Sequence, residues 1–161
     1  MKIRKADITE LAAVEQMYAE ARRFMKESGN ATQWKDGYPP TELIRSDIEK
    51  GALHLCVDGE NRLGVFYFAI ESEPDYEMIY DGEWLNSEPY AVIHRVAVTA
   101  KGRGVAAFCF DYCFTQLQNL KIDTHADNIP MQRSLEKNRF VRCGRIILAN
   151  GEERIAYQKT M

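Results

Sequence analysis

Short alternations of apolar and polar residues, interrupted by stretches with helical spacing, predict the elements of this chain. Residues Lys2–Ala6 alternate and predict a first strand. Asp7, with Glu10 three residues later, matches a capping box, and apolar residues recur at helical spacing from there to Gly29. A second, shorter helical pattern covers Thr41–Lys50. We therefore expect one strand followed by two helices.

The middle of the chain has the pattern of strands. Two apolar-rich runs, Ala52–Val57 and Arg62–Ile70, flank Asp58-Gly59-Glu60-Asn61, which is typical of a hairpin turn. An acidic and aromatic segment, Glu71–Glu88, then precedes another strand pattern over Tyr90–Val98. Three consecutive strands are expected here.

Helices and strands alternate in the last third of the chain. A glycine-containing stretch, Thr99–Gly104, opens a helix that we expect to reach about Asn119. Strand Lys121–Thr124, helix Ile129–Asn138 and a final hairpin around Asn150-Gly151 complete the prediction. The predicted order, β-α-α-β-β-β-α-β-α-β-β, is that of an α/β (α+β) protein with a mixed central sheet flanked by helices.

Composition narrows the kinds of protein that this sequence encodes. The 161 residues suffice for one core, and we expect a single domain over residues 1–161. With a net charge of −3 we expect no nucleic-acid partner. No apolar stretch reaches the roughly 18–20 residues of a membrane span. Met1 leads into Ile3-Arg4-Lys5 without an apolar signal segment, so we expect a cytoplasmic protein that does not associate with a membrane.

The chain has four cysteines, none of them in a Cys-x-x-Cys pair: Cys56, Cys109, Cys113 and Cys143. Cys109 and Cys113 stand four residues apart, as metal ligands on one helix face do, but no histidine lies near them in the sequence. Free cysteine is among the most buried residue types. We therefore expect these side chains in the core and no metal site.

The junction between the predicted fourth strand and the next helix is a candidate phosphate site. Gly102-Arg103-Gly104 would let a phosphate approach the unpaired N–H groups at the helix start, where the helix dipole is positive. Lys101 and Arg103 add positive charge. A plain structural turn is the alternative interpretation of this segment alone. The third glycine of a dinucleotide-binding fingerprint and the Gly-Lys-Ser/Thr of a P-loop are both missing.

A second segment, Asp127 to Val141, strengthens the case for a bound cofactor. Together with Gly102-Arg103-Gly104-Val105-Ala106 it resembles the GNAT superfamily of acyl-CoA N-acyltransferases, in which the later helix begins with Asn and ends in Tyr-Glu-Lys-x-Gly-Phe. Four residues match that helix: Asn128, Glu136, Lys137 and Phe140. Tyr90–Val98 and Asp123–Asn128 resemble a bacterial branch of the superfamily. With the predicted order of elements, the resemblance covers essentially the full chain.

This resemblance implies a fold and a reaction. The fold would be that of the GNAT superfamily, and the activity would be transfer of an acetyl group from acetyl-CoA, the co-substrate, to a primary amine that attacks the thioester directly. The Gly-x-Gly turn would bind the CoA diphosphate. The pantetheine arm would lie between splayed fourth and fifth strands, and a backbone N–H near Val96 would polarise the thioester carbonyl. The implied cofactor-binding residues are Val96, Ala97, Val98, Lys101, Gly102, Arg103, Gly104, Val105, Ala106 and Asn128.

Three positions depart from the superfamily pattern. Leu135, which has no proton to donate, replaces the tyrosine that often protonates the CoA thiolate, and Arg139 stands where glycine is usual. The Gln or Arg that is frequent before the glycines is absent, with Lys101 the nearest basic substitute. Leu135 keeps a second interpretation open, a catalytically weak module that senses or binds acyl-CoA. Members of the superfamily often dimerise, so the resemblance also allows a homodimer.

Two of the three histidines are candidates for a role in the site, and an imidazole can transfer a proton near neutral pH. His94 is expected in mid-strand on the same face as Val92 and Val96, where it would serve as a base for the acceptor ammonium. A hydrogen-bonded core histidine is the alternative. His125 follows the fifth strand and either contacts the cofactor or acceptor or lies exposed in a loop. His54 is expected to be exposed and is given no role.

Two aromatic segments correspond to the borders of the acceptor site in the superfamily. They are the loop after the first helix and the segment before the fourth strand. The residues there that we expect to bind the acceptor are Gln33, Trp34, Tyr38, Tyr80 and Trp84. Simple packing is the alternative for each of them. Carboxylates crowd Glu71–Glu88 and are either solvated or attract a cationic small-molecule or peptide amine, such as a polyamine or a basic peptide.

Overall fold

The computed structural model describes residues 1–161, which form seven strands and four α-helices. The strands are β1 (Lys2–Lys5), β2 (Leu53–Asp58), β3 (Asn61–Ile70), β4 (Ala91–Val98), β5 (Asn119–Thr124), β6 (Val141–Ile147) and β7 (Glu153–Thr160). The helices are α1 (Leu11–Glu27), α2 (Thr41–Glu49), α3 (Val105–Gln116) and α4 (Ile129–Lys137). Short 3₁₀ helices cover Ile8–Glu10 and Pro74–Tyr76. The order of strands and α-helices confirms the one predicted from the sequence.

All seven strands belong to one sheet with the order β1-β2-β3-β4-β5-β7-β6. Neighbouring strands run antiparallel except β4 and β5, which are parallel. A mixed sheet flanked by helices confirms the predicted fold class. The single parallel pair sits at the centre of the sheet, with three strands on one side and two on the other.

Helices α1 and α2 cover one face of the sheet. Val14 and Tyr18 of α1 and Ile44 of α2 pack there against Leu55 of β2 and Val65 of β3. Each of these side chains is almost fully buried. Their burial stabilises the packing of the two helices on the sheet.

Helices α3 and α4 pack on the opposite face. Cys109, Phe110 and Cys113 of α3 and Leu135 of α4 belong to one buried cluster with Phe66 of β3. All four cysteines of the chain are buried and free. Their placement in the core, expected from the sequence, is confirmed.

Strands β4 and β5 pair only at their starts. The pairs are Ala91 with Leu120 and Val92 with Lys121, although both strands continue for several residues beyond. The strands therefore diverge towards their carboxyl ends. This divergence opens the sheet between them, at the edge where ligands of α/β proteins commonly bind.

A β-bulge interrupts β4 at Arg95. Tyr67 of β3 pairs with His94 and Val65 pairs with Ala97, so β4 carries one residue more than β3 over this interval. The φ of Arg95 is 50°, in the left-handed region that residues other than glycine rarely adopt. Such a conformation persists only where surrounding contacts hold it.

The bulge moves the later side chains of β4 to the other face of the sheet. Val92 packs in a cluster with Tyr67, and the ring of His94 lies beside Tyr67 at a centroid distance of 5.6 Å. Val96 instead packs against the cluster that contains Phe66 and α3. The prediction that His94 shares a face with Val96 is therefore wrong, because it assumed an uninterrupted alternation.

Several element boundaries differ from the sequence pattern by a few residues. Helix α3 ends at Gln116 rather than near Asn119, because Leu117 is extended and β5 begins two residues later. The capping box of Asp7 and Glu10 is present, and it starts a 3₁₀ turn that leads into α1. No helix combines the length and the apolar character that crossing a bilayer demands.

Candidate functional site

A groove of about 330 Å³ runs past the start of α3, between the end of β4 and α4. Of the ten predicted cofactor-binding residues, all except Arg103 line it. These nine are Val96, Ala97, Val98, Lys101, Gly102, Gly104, Val105, Ala106 and Asn128. The structure thus brings the two sequence segments, the glycine turn and the later helix, to one groove.

The turn between β4 and α3 presents free backbone amides to this groove. Gly102 and Gly104 have φ angles of 74° and 70°, which glycine adopts without strain. Gly104 is the N-cap of α3, and Phe108 is the first residue whose N–H bonds back to it. The amides before Phe108 have no partner within the helix and lie at its positive end. A Cβ on either glycine would meet no atom within 4 Å, so the space before these amides is open.

Lysines give the groove a positive charge. Lys101 and Lys137 line it and no carboxylate does. The Nζ of Lys101 lies 4.1 Å from the centre of the Phe24 ring, and burial lowers the pKa of this lysine below its usual value. Arg103 instead points away from the groove, with its Nη2 3.0 Å from Oδ2 of Asp58. A diphosphate fits the amides and the two lysines.

A larger cavity, of about 590 Å³, adjoins the groove. The two spaces share Met25, Val96, Asn128 and Met131 in their walls and therefore lie next to each other. The cavity occupies the opening between β4 and β5. A ligand that lies along the groove can place its end in the cavity beside Val96.

His94 lines the cavity next to a carboxylate. Its Nε2 lies 3.6 Å from Oε2 of Glu73, and the neighbouring histidine lowers the pKa of the Glu73 carboxyl below its usual value. The rings of Tyr67 and Tyr76 flank the imidazole, with centroid distances of 5.6 and 6.2 Å. The Nε2 atom is buried and has no hydrogen-bond partner. An imidazole beside a carboxylate can take up a proton and be stabilised in its charged form.

Arg95, the bulge residue, is held by contacts on several sides. Its Nε donates to Oδ2 of Asp47 at 2.9 Å, and its Nη1 donates to the hydroxyl of Tyr38 at 3.3 Å. The guanidinium carbon lies 4.7 Å from the centre of the Tyr67 ring. Asp47 is 2% exposed, and this burial raises the pKa of its carboxyl. The contacts fix the backbone conformation directly after His94.

Carboxylates gather on the cavity wall near His94. The hydroxyl of Tyr76 donates to Oδ2 of Asp123 at 2.6 Å. Burial, and the negative charges of Glu73 and Asp123, raise the pKa of the Asp75 carboxyl. All three carboxylates line the same cavity. This part of the wall is strongly acidic.

Gln33 joins the predicted acceptor loop to the cofactor groove. Its Oε1 accepts a hydrogen bond from Nδ2 of Asn128 at 3.0 Å, while Oδ1 of Asn128 accepts one from the N–H of Met131 at the start of α4. Trp34 and Tyr38 line the cavity together with Gln33. Three of the five residues predicted to bind the acceptor therefore lie in its wall.

Tyr80 and Trp84, the other two, lie outside that wall. The backbone of Tyr80 pairs with Arg145 of β6 through two hydrogen bonds of 2.8 Å, which places it at the far edge of the sheet. The indole N–H of Trp84 donates to the carbonyl oxygen of Tyr76 at 2.8 Å, and Nζ of Lys121 lies 4.1 Å from the centre of its ring. The Trp84 ring packs against Tyr76, whereas the side chain of Tyr80 is exposed at that edge.

The other two histidines lie outside both spaces. His54 is 4% exposed, so the expectation of an exposed side chain is wrong. Strand β2 lies between β1 and β3, and both faces of the sheet are covered there. His54 stacks on Phe66, and its Nδ1 is 2.9 Å from the carbonyl oxygen of Ala52. Nε2 of His125 is 3.1 Å from Oγ1 of Thr32, a contact between the loop after β5 and the loop after α1.

Leu135 is fully buried in the core between α4 and the sheet. It lines neither the groove nor the cavity. The position that resembles the superfamily's tyrosine therefore contributes no polar atom to the site.

Sequence reasoning missed several residues of the site: Asp47, Tyr67, Tyr76, Asp123 and Lys137. One of them left a signal. Asp47 falls beside Ile48 and three residues after Ile44, on the apolar side of α2, where an acidic residue is out of place unless it has a partner. The other four stand in strands, turns or motifs whose pattern fits ordinary packing.

Comparisons with known proteins agree with this geometry. Neither the models of known protein families nor the sequences of curated proteins match the chain. Among solved structures, an acetyltransferase of the GNAT family from Streptococcus agalactiae 2603 is 30% identical to it, with a TM-score of 0.90. That match covers 99% of this chain and 95% of the other.

More distant structures share the fold. A GNAT-family acetyltransferase from Listeria monocytogenes 4b F2365 is 20% identical, with a TM-score of 0.70 over 99% of this chain and 94% of its own. The yncA protein of Salmonella typhimurium, solved with its cofactor acetyl-CoA, is 14% identical, with a TM-score of 0.65 over 99% and 92%.

Proposed function

The chain belongs to the GNAT family of acetyltransferases, and from that premise we propose that it transfers an acetyl group from acetyl-CoA to a primary amine of a small molecule or a peptide. Acetyl transfer from acyl-CoA is the reaction of this family, and acetyl-CoA is its co-substrate. The observation that carries the proposal is that Val96 lines both the groove of free amides and the adjoining cavity of His94. In this proposal residues 1–161 act as one N-acetyltransferase domain in the cytoplasm.

The groove supplies the binding site for the cofactor in this proposal. The free amides around Gly104, with Lys101 and Lys137, bind the diphosphate. The pantetheine arm runs along Val96 and Val98 into the opening between β4 and β5. The side chain of Arg103 meets Asp58 at the exposed surface, and its backbone N–H is one of the amides of this turn that lack a protein partner.

The acetyl group passes to the acceptor by direct attack. The amine nitrogen forms a bond to the thioester carbonyl carbon, the bond from that carbon to sulfur breaks, and CoA leaves as a thiolate. The acceptor ammonium gives up one proton before the attack, and a second leaves the nitrogen afterwards. Holding the nitrogen about 3 Å from the carbonyl carbon supplies much of the rate enhancement, because it makes the reaction effectively intramolecular.

His94 takes the first proton from the acceptor. It lines the cavity that adjoins the groove, and Glu73 stabilises the charged imidazole that results. The bulge at Arg95 places the base and the cofactor on different sides of β4. It turns His94 to the cavity side of β4 while Val96 packs on the cofactor side.

The remaining steps are polarisation of the thioester carbonyl and protonation of the leaving thiolate. A backbone N–H near Val96, on the edge of β4 that β5 leaves after Val92, donates to the carbonyl oxygen as negative charge develops there. The thiolate of CoA resembles an ordinary thiol with a pKa of about 8.5, so water can protonate it. Leu135 therefore does not prevent turnover.

Leu135 also favours a second candidate, a module that binds acyl-CoA with little or no turnover. Its side chain is fully buried and offers no proton donor to the site. One assay separates the two functions. The protein is mixed with acetyl-CoA and a panel of primary amines, and released CoA thiol is measured with a chromogenic thiol reagent; the chain's own cysteines are buried and contribute little background. Amine-dependent release supports the enzyme, whereas CoA binding without release across the panel supports the module.

A further inference from the structure

The acceptor cavity has an excess of negative charge. Its wall contains seven carboxylates: Asp36, Asp47, Glu71, Glu73, Asp75, Asp123 and Glu152. Only four lysine or arginine side chains line it: Lys35, Lys50, Arg95 and Arg154. With His94 neutral, the wall carries three more negative charges than positive ones. A cavity with this balance attracts cations and repels anions.

The positive side chains are already occupied by other carboxylates or by tyrosine. Arg95 is paired with Asp47 at 2.9 Å, and Lys35 and Arg154 both face Glu152, at 3.5 and 3.8 Å. The Nζ of the fourth, Lys50, donates instead to the hydroxyl of Tyr67 at 3.1 Å. None of these cations pairs with the carboxylates near His94. Five of the seven carboxylates therefore have no lysine or arginine partner, and three of these five lie together in one part of the wall.

That part is the carboxylate cluster, which we define as Glu73, Asp75 and Asp123. None of the three forms an ion pair with lysine or arginine. The side chain of Asp75 makes no hydrogen bond within the protein, whereas Asp123 accepts one from Tyr76, and Glu73 faces His94. Three carboxylates that share one cavity repel each other, and a bound cation relieves that repulsion.

A buried hydroxyl at the same cavity also lacks a partner. Thr124, at the end of β5 and next to Asp123 in the chain, is 1% exposed and lines the cavity. Its Oγ1 has no hydrogen-bond partner. Buried polar atoms in proteins are nearly always bonded, so this hydroxyl marks an unmet hydrogen bond in the cavity wall. It lies on the strand face of Leu120 and Ile122, opposite the Asp123 carboxylate, and is therefore separate from the carboxylate cluster.

From these observations we infer that the acceptor is an amine with a second positive charge, a diamine or polyamine whose distal ammonium binds the carboxylate cluster. This inference rests on the proposed function for the reaction and adds the class of substrate. The reacting amine lies towards Val96 and His94, and the distal ammonium lies among Asp75, Asp123 and Glu73. Because the cavity is partly enclosed, water screens this attraction less than it would on an open surface.

Three acceptors of equal chain length test the charge requirement. They are 1,4-diaminobutane with two positive charges, 1-aminobutane with one, and 4-aminobutanoate, which adds a carboxylate. We expect kcat/KM to be at least tenfold higher for the diamine than for 1-aminobutane, and lowest for 4-aminobutanoate. Raising the salt concentration should reduce the advantage of the diamine, since salt screens charge–charge attraction. Equal values for all three, or a preference for 4-aminobutanoate, would overturn the inference.

Asp75→Asn tests the binding site of the second charge. This side chain makes no hydrogen bond within the protein, so the change removes the charge with almost no change of shape. We expect kcat/KM for 1,4-diaminobutane to fall at least tenfold and that for 1-aminobutane to change less than threefold. Asp111→Asn, in an exposed position of α3 outside the cavity, is the matched control and should affect neither. An equal loss for both amines would contradict the assignment.

A binding measurement separates this inference from the proposed function. Trp34 lies in the cavity wall, so its fluorescence can report a titration of the CoA-bound protein with each amine. If the protein binds the diamine selectively, Asp75→Asn weakens that binding and no thiol is released, the inference stands and acetyl transfer is refuted. Thiol release at equal rates from all three amines, without selective binding, would keep acetyl transfer and refute the inference.

Discussion

The hydroxyl of Tyr18 in α1 donates a hydrogen bond to the backbone carbonyl oxygen of Arg95 in β4, with 2.8 Å between the two oxygens. Tyr18 is fully buried, and Arg95 is the residue whose left-handed backbone forms the bulge. The first helix therefore holds the one irregular residue of β4. This contact positions His94 and Val96 on opposite faces of the sheet, as the proposed mechanism requires.

Tyr18→Phe tests the importance of this contact. The change removes the donor and leaves the Arg95 carbonyl buried without its partner, which costs about 1–2 kcal/mol of the free energy of unfolding. Because the bulge loosens beside His94, kcat/KM for acetyl transfer should fall by about ten- to a hundredfold, while the Kd for CoA changes little. Urea unfolding, steady-state kinetics and calorimetric titration with CoA measure the three quantities.

Tyr112→Phe is the control for the loss of a tyrosine hydroxyl. Tyr112 stands in α3 and its hydroxyl makes no hydrogen bond within the protein, so stability and kcat/KM should stay close to those of the wild type. If Tyr18→Phe behaved like Tyr112→Phe, the contact with Arg95 would have no part in organising the site.

Gly104→Asp tests the diphosphate site. The new carboxylate would stand before the free amides of α3 and repel a diphosphate, so the affinity for CoA should fall by at least about a hundredfold. The left-handed φ of 70° adds about 1–2 kcal/mol of strain, and circular dichroism should still show a folded protein. Gly59→Asp introduces the same residue at a φ of 60° in the β2–β3 turn and controls for that strain. Retained CoA affinity in Gly104→Asp would refute the assignment.

His94→Gln tests the base. An imidazole that removes the proton from an ammonium contributes about 10²–10⁴ to the rate, so kcat should fall by about that factor at pH 6–8. The deficit should shrink near pH 9.5, where more of the amine is already unprotonated. The charged and titratable groups near His94 are Glu73, Asp75, Asp47, Arg95, Tyr67 and Tyr76. His125→Gln, outside both spaces, should leave the pH profile unchanged; a similar effect from both variants would remove His94 from the mechanism.

Glu10→Gln tests an ion-pair network distant from the site. Arg4 above all, with the N–H of Asp7 and with Arg62, lowers the pKa of Glu10 from 4.5 to about 2. A lowered pKa in the folded state stabilises the protein above pH 4.5, and this contribution is lost as the pH falls towards 2. The variant should therefore be less stable by about 1–2 kcal/mol at pH 7, with a smaller difference at pH 3.

Urea unfolding at pH 7, 5 and 3 measures that difference. Glu60→Gln, an exposed glutamate in the β2–β3 turn without an ion pair, should match the wild type at each pH. A difference between Glu10→Gln and the wild type that stayed constant from pH 7 to pH 3 would contradict the lowered pKa.

Most helices and strands were predicted correctly because their sequence patterns involve only neighbouring residues. The alternation in Tyr90–Val98, the turn at Asp58-Gly59-Glu60-Asn61 and the capping box at Asp7 each depend on neighbouring residues alone. The groove was predictable for a similar reason. The glycine turn and the helix from Asn128 carry its chemistry, and both are continuous segments of the sequence.

The cavity was less predictable because contacts between distant residues shape it. The bulge depends on Tyr18, 77 residues before Arg95, and on Asp47, 48 residues before it. Tyr80 was expected at the acceptor site, yet its backbone pairs with Arg145, which no local pattern shows. The burial of His54 follows from β2 lying inside a sheet covered on both faces, a property of the assembled fold.

A crystal structure of the protein with bound CoA tests the central claim most directly. We expect the diphosphate oxygens to accept hydrogen bonds from the backbone N–H groups at the start of α3, and the pantetheine thiol to lie in the opening between β4 and β5, beside Val96. CoA bound with its diphosphate away from Gly104, or with its thiol outside that opening, would contradict the account.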